Sequence, residues 1–95
     1  MEDNIIELKQ GEVLLHTNDE IKCLYLILSG ETDIYSRYGR ISTSAGSILG
    51  LSGSLYGLSL YNYVAKSDCT LRKFTVSGIS DLEKILREYP DMVPD

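Results

Sequence analysis

Residues 45–63, AGSILGLSGSLYGLSLYNY, combine backbone freedom with hydroxyl groups in a way that suits binding of a small polar ligand. The segment contains four glycines and four serines, but no aspartate, glutamate, lysine, arginine or histidine. Glycines at this density allow tight turns and close approach of a backbone to a ligand, and serine hydroxyls supply hydrogen-bond donors. The segment is therefore the candidate binding site, and its lack of charge limits the ligands that it can hold.

The remaining residue types offer little for catalysis or metal binding. His16 is the single histidine, whereas a metal enzyme built in a β-barrel needs several histidines and a carboxylate. No nucleophile-elbow pattern accompanies the serines. We predict that the chain is not an enzyme, that it has no catalytic residue, metal site or cofactor, and that His16 lies at the surface or rim. Cys23 and Cys69 lack the spacing of a metal knuckle or redox pair, so we expect two small buried thiols, with a disulfide as the alternative.

Length and charge limit the class of protein. The 95 residues fit one domain, and 43% hydrophobic with 24% charged residues is a globular balance. The net charge of −5 repels phosphate backbones and anionic lipids. The sequence shows no secretory leader and no apolar stretch near the roughly 20 residues of a membrane span. We therefore predict a cytoplasmic protein without nucleic-acid or membrane contacts, and the oligomeric state stays open.

Short stretches with strand character are separated by polar or glycine-containing turns. They comprise residues 4–8, 12–16, 23–29, 31–35, 41–43, 63–65 and 70–76. The stretch from Cys23 to Ser29 is the most hydrophobic, which suits a central strand with both faces covered, although a buried helix shares this pattern. The turn before residue 41 carries Arg37, Tyr38 and Arg40. Such a basic aromatic tip could contact nucleic acid, but the net negative charge favours a solvated hairpin end.

The C-terminal part has the pattern of an amphipathic helix. Ser80 and Glu83 form a capping box, and apolar residues recur on one helical face. Pro90 breaks this helix or is equally the first residue of another. Together these elements predict a mainly β fold, a double-stranded β-helix (jelly roll or β-roll) with a short helix in residues 45–63 and a C-terminal helix. We expect one domain over residues 1–95, with the β-roll in residues 1–78, the helix in residues 79–89, and more protein after it.

The order and spacing of several motifs between Gly11 and Pro90 resemble the cyclic-nucleotide-binding domain family, the β-roll sensor module of catabolite-activator-type regulators, kinase regulatory subunits and gated channels. The motifs are GEVLL at 11–15, Asn18-Asp19, LYLILSGE at 24–31, Gly46 with Gly50, and LEKILREYP at 82–90. The resemblance implies that residues 45–63 are the phosphate-binding cassette. In that cassette, helix-start amides cradle a cyclic phosphate, a glutamate accepts a hydrogen bond from the ribose, and an arginine pairs with the phosphate.

This sequence departs from the family at the charged positions of the cassette. Ser47 replaces the acid expected after the first glycine, Leu51 replaces the ribose glutamate, and Ser59 or Leu60 replaces the arginine. Loss of charge-assisted partners costs a buried phosphate about 1.5–3 kcal/mol per bond. Lys66 could reach inward as a substitute, although a solvated turn lysine is the simpler interpretation.

We therefore predict a regulatory domain that binds another small molecule or a protein partner rather than a cyclic nucleotide. The alternative is weak binding of cyclic AMP or cyclic GMP through backbone amides and serine hydroxyls. Tyrosines 56, 61 and 63 could line an uncharged pocket or fill the core. The candidate ligand contacts are Gly50, Leu51, Ser52, Gly53, Ser54, Ser59 and Leu60.

Overall fold

The computed structural model describes residues 5–54, 57–75, 87 and 93–94, and these residues form mainly strands. The described helix α1 (Leu51–Ser54) is short. The strands are β1 (Ile5–Leu8), β2 (Val13–Leu15), β3 (Cys23–Ser29), β4 (Glu31–Ser36), β5 (Gly39–Ser44), β6 (Ser47–Leu49), β7 (Asn62–Ala65), β8 (Cys69–Thr75) and β9 (Val93–Pro94).

The strands form two sheets. One has the order β1-β8-β3-β6-β9 and the other the order β2-β7-β4-β5. The pairings are antiparallel except for the parallel contact of β6 with β9. This arrangement confirms the predicted mainly β, roll-type fold. Of the predicted C-terminal helix at residues 79–89, all but Arg87 lies outside the described residues.

Side chains from both sheets meet in one apolar core. Burial of an aliphatic or aromatic side chain in such a core contributes about 1.5–3 kcal/mol, which makes this cluster the main source of stability. Its buried members are Leu15, Ile21, Ile27, Ile34, Leu49, Tyr63, Ala65, Cys69 and Leu71.

The prediction of a central strand at residues 23–29 is confirmed, because β3 lies between β8 and β6 and is buried on both faces. Ile27 belongs to the core between the sheets. The side chains of Leu24 and Leu26 lie on the opposite face of the sheet from Ile27 and are also buried. Leu26 pairs there with buried Ile48 of β6. An alternating strand can bury both sets of side chains only when each face of its sheet is covered.

The reversal from β3 to β4 depends on Gly30. Its φ of 88° lies in the left-handed region, and a Cβ there would collide with the backbone carbonyl of Asp68. Two hydrogen bonds connect the start of β4 to residues 66–67 at this point. The Glu31 amide donates to the Ser67 hydroxyl at 3.0 Å, and the Lys66 amide donates to the Glu31 carbonyl at 2.9 Å. Two chain segments therefore cross here at a distance that only glycine allows.

Two strands were not expected from the sequence. The first part of the glycine and serine segment, where we expected no strand, is strand β6, and β9 lies beyond residues 70–76, the last strand that we expected. Three residues between two glycines give too short a pattern to identify a strand, and the pairing partner of β6 on the β9 side lies more than 40 positions away in the sequence.

The two cysteines are free, as predicted, but only Cys69 is buried whereas Cys23 is half-buried. They lie at opposite ends of the β3–β8 pair, where Cys23 faces Thr75 and Thr70 faces Ser29. At about 3.3 Å per strand residue the thiols are roughly 20 Å apart, which is far beyond the reach of a disulfide.

Candidate functional site

The candidate site begins where β6 ends and the chain turns into α1. Gly50 makes this turn with a φ of 91° and is buried. The positive φ is the reason for glycine here, because a Cβ would make only ordinary contacts, 3.6 Å from the Cys23 carbonyl oxygen and 3.8 Å from the Ile21 side chain. The glycine thus sets the direction in which the chain enters α1.

Gly53 holds α1 against residues 57–60, which we call the returning chain. A Cβ at this position would lie 2.7 Å from the Leu58 carbonyl oxygen and 2.6 Å from the Ile21 side chain. A Cβ carbon does not approach other heavy atoms this closely, so residue 53 has to be glycine for α1 to pack here. The backbone of α1 therefore packs directly against the backbone of residues 57–59.

The returning chain is anchored to the turn at residues 17–20, which the sequence had indicated from its polar, turn-forming residues. The Asn18 amide donates to the Ser59 carbonyl at 2.8 Å, and the Ser59 amide donates to the Asp19 carbonyl at 2.7 Å. The Ile21 amide donates to the Gly57 carbonyl at 2.9 Å. Asn18 has a φ of 76°, a conformation that asparagine tolerates. Sequence reasoning missed this support because the two partners are about 40 residues apart.

Ser59 and Leu60, the two candidates for the arginine position, have opposite environments. Ser59 is 1% exposed and its hydroxyl donates to the Tyr61 carbonyl at 2.7 Å. Leu60 is 40% exposed. The Ser59 hydroxyl is therefore occupied within the fold, whereas the Leu60 side chain is accessible.

Charge is absent from the described part of the cassette, residues 45–54 and 57–63. Leu51, which we expected at the ribose-glutamate position from the family resemblance, is half-buried at the first residue of α1, and Ser47 is buried in β6. Ser52 and Ser54 contribute their backbones to the same helix. Lys66 is exposed and its ammonium donates to the Ser42 hydroxyl at 3.4 Å, which agrees with a solvated turn lysine rather than a substitute for the arginine.

The tyrosines near the cassette divide into core and boundary residues. Tyr63 is completely buried, which confirms structural filling, and Tyr61 packs on it edge to face with ring centroids 6.2 Å apart. Tyr56 lies outside the described residues. On β3, burial raises the pKa of Tyr25 above its ordinary value, and the neighbouring Cys23 adds to the shift.

Other candidate chemistry stays dispersed in the described residues. His16 is exposed, as predicted, with its Nδ1 3.6 Å from an oxygen of Asp19. No three histidine, cysteine, aspartate or glutamate side chains cluster as metal ligands in the described ranges. Within the same ranges, no helix has the length and hydrophobicity needed to span a bilayer. The absence of catalysis, of a cofactor and of a membrane partner, and the cytoplasmic location, stay predictions.

Comparison with known proteins identifies this arrangement. A family described as the cyclic nucleotide-binding domain matches residues 5–88. None of the curated proteins matches the chain. Among solved structures, the regulatory subunit of a cAMP-independent protein kinase A from Trypanosoma brucei superposes with a TM-score of 0.73 at 18% identity, covering 90% of this chain and 34% of that protein.

Two further structures have the same fold. The Thermus thermophilus catabolite activator protein has a TM-score of 0.70 at 21% identity, covering 94% of this chain and 44% of that one. The regulatory subunit of a cAMP-independent protein kinase A from Trypanosoma cruzi, bound to guanosine, has a TM-score of 0.70 at 20% identity, covering 77% of this chain and 28% of that one. This chain therefore spans less than half the length of each of these proteins.

Proposed function

The chain belongs to the cyclic nucleotide-binding domain family, and we propose that it is a regulatory domain whose effector is a small uncharged molecule rather than a cyclic nucleotide. The observation that carries this proposal is the pair of leucines at the two charged positions of the cassette. Leu51 begins α1 and Leu60 is exposed on the returning chain. In this proposal the site keeps the backbone shape of the family, and the two leucines stand where charges would meet an anion.

The energetics favour a neutral ligand. A phosphate that enters this site loses water and gains no guanidinium, and burying an unpaired anion costs several kcal/mol. The Ser59 hydroxyl offers no compensation, because it already donates to the Tyr61 carbonyl at 2.7 Å. A neutral molecule avoids this cost, and the exposed surface of Leu60 supplies apolar contact for it.

The related structures supply a choice of probe. The Trypanosoma cruzi regulatory subunit is cAMP-independent and is bound to guanosine, a nucleoside without phosphate. The Trypanosoma brucei regulatory subunit is likewise cAMP-independent. These proteins support a nucleoside as the first uncharged molecule to test on this chain, and guanosine is the named candidate.

Calorimetric titration with guanosine, cyclic AMP and cyclic GMP tests the proposal. We expect guanosine to bind more tightly than either cyclic nucleotide, and the cyclic nucleotides to bind no more tightly than high micromolar. Leu60→Gln should weaken guanosine binding, whereas Leu28→Gln should not, because Leu28 is similarly exposed at 43% but belongs to β3. Tighter binding of a cyclic nucleotide would refute the proposal and support its alternative, phosphate capture by backbone amides and serine hydroxyls.

A further inference from the structure

Among the described residues, strand β5 is an open edge of its sheet. It pairs with β4 on one side and ends the order β2-β7-β4-β5. Ile41 in its middle is 67% exposed, and Tyr38 in the preceding turn is 88% exposed. An edge strand with exposed apolar residues is a ready template for pairing with another extended chain.

The hairpin geometry determines which backbone groups of β5 face outward. Ser36 pairs with Gly39 across a two-residue turn, so this closing pair exchanges both hydrogen bonds and alternate pairs do the same. In agreement, the carbonyl of Glu31 faces the other neighbour, where it accepts from the Lys66 amide at 2.9 Å. The amides and carbonyls that point away from β4 therefore belong to Arg40, Ser42 and Ser44, and in the described residues they have no hydrogen-bond partner.

The surroundings of this edge are positively charged although the chain as a whole carries −5. Arg37 and Arg40 are exposed, and Lys66 reaches Ser42 with its ammonium at 3.4 Å. Asp33 has a side chain only 7% exposed and lies 4.0 Å from Arg40, so it offsets part of the charge of that arginine. The three cations still outnumber the carboxylates of Asp33 and Glu31 along this edge. Glu31, opposite Ser44, is the exposed carboxylate on this face.

We propose that β5 is a docking edge for an extended acidic peptide of a partner protein, which adds to the sheet as a fifth strand. The partner hydrogen-bonds to the outward backbone groups of alternate β5 residues. Its side chains alternate, with apolar residues on the face of Ile41 and acidic residues on the face of Arg40. The hairpin tip that sequence reasoning treated as solvated thus becomes the electrostatic guide for this strand.

A second copy of the chain fits this edge poorly. Antiparallel pairing of β5 with itself would bring together two sets of the cations Arg37, Arg40 and Lys66. Like charges placed side by side oppose association, whereas an acidic strand neutralises them. The charge of the edge therefore selects a partner of opposite sign.

Amide exchange measured by NMR tests the proposal with an eight-residue capped peptide of alternating aspartate and valine. At about ten times its dissociation constant, the peptide should slow exchange of the Arg40, Ser42 and Ser44 amides about tenfold. The Ile41 and Thr43 amides, which already bond to β4, should change little. A matched peptide of alternating lysine and valine should have no effect.

Three variants separate docking from general peptide adhesion. Ser44→Pro removes an outward amide and should abolish protection, whereas Ser44→Ala should retain it. Arg40→Gln should weaken binding by up to about fivefold, the range of one exposed charge pair. If Ser44→Pro fails to fold, the peptide affinity of Arg40→Gln tests the proposal instead. Equal protection by the lysine peptide, unchanged exchange with the aspartate peptide, or protection that grows with protein concentration alone would each overturn the proposal.

Discussion

Restoring the two missing charges should restore binding of a cyclic nucleotide. The perturbation is the double substitution Leu51→Glu and Leu60→Arg. The first returns a carboxylate to the start of α1, and the second places a guanidinium at an accessible position, since Leu60 is 40% exposed. The backbone of the site needs no change, because Gly50 already turns the chain into α1 and Gly53 already packs α1 against the returning chain.

The size of the gain follows from the bonds that are added. Charge-assisted hydrogen bonds contribute about 1.5–3 kcal/mol each, so each substitution alone should tighten cyclic AMP binding roughly 10- to 100-fold. The pair should gain more than either single variant. Calorimetry measures this series directly, and thermal unfolding of each variant checks that the fold is intact.

Ser59→Arg is the matched control for the arginine. Ser59 is 1% exposed and its hydroxyl bonds to the Tyr61 carbonyl. An arginine there has to displace packed neighbours, so this variant should lose stability without gaining affinity. A folded double variant with unchanged affinity would refute the assignment of the missing charges, and a larger gain from Ser59→Arg would refute the choice of Leu60.

The other predictions concern stability. Gly30→Ala should lower the urea midpoint of unfolding more than Gly46→Ala. The two glycines have similar φ values of 88° and 96°, but a backbone carbonyl blocks the Cβ position only at Gly30. Equal effects of the two substitutions would contradict this steric argument. Ser59→Ala should cost about 1 kcal/mol in chemical unfolding and leave guanosine affinity unchanged, because the lost hydroxyl bonds within the fold. The pKa of Tyr25 is raised in the folded state, so the unfolded state loses the phenolic proton at a lower pH than the folded state does. Stability should therefore fall as pH rises above about 10, and Tyr25→Phe should remove part of that fall.

Most strands could be predicted from the sequence because their signals are local. The run at Cys23 to Ser29 is long and apolar, and it is strand β3 in the structure. By contrast, β6 has three residues between glycines, and its identity depends on pairing with Tyr25 and Leu26. A short strand is specified by its neighbours, which a local pattern does not contain.

The sequence by itself determined the chemistry of the candidate site. The absence of acidic and basic side chains in residues 45–63 holds for any conformation, and it already argues against a phosphate ligand. The motif order likewise indicated the family. These conclusions concern which groups are present, and composition and spacing are sufficient to state them.

Only the tertiary structure decided which of those groups are accessible. It buries Ser59 and exposes Leu60, because hydrogen bonds to Asn18 and Asp19 fix the orientation of the returning chain. It also places β5 at a sheet edge, where Arg40 lies beside outward-facing backbone groups. Accessibility depends on contacts between segments that are distant in the sequence, and such contacts form only when the two sheets pack around their common core.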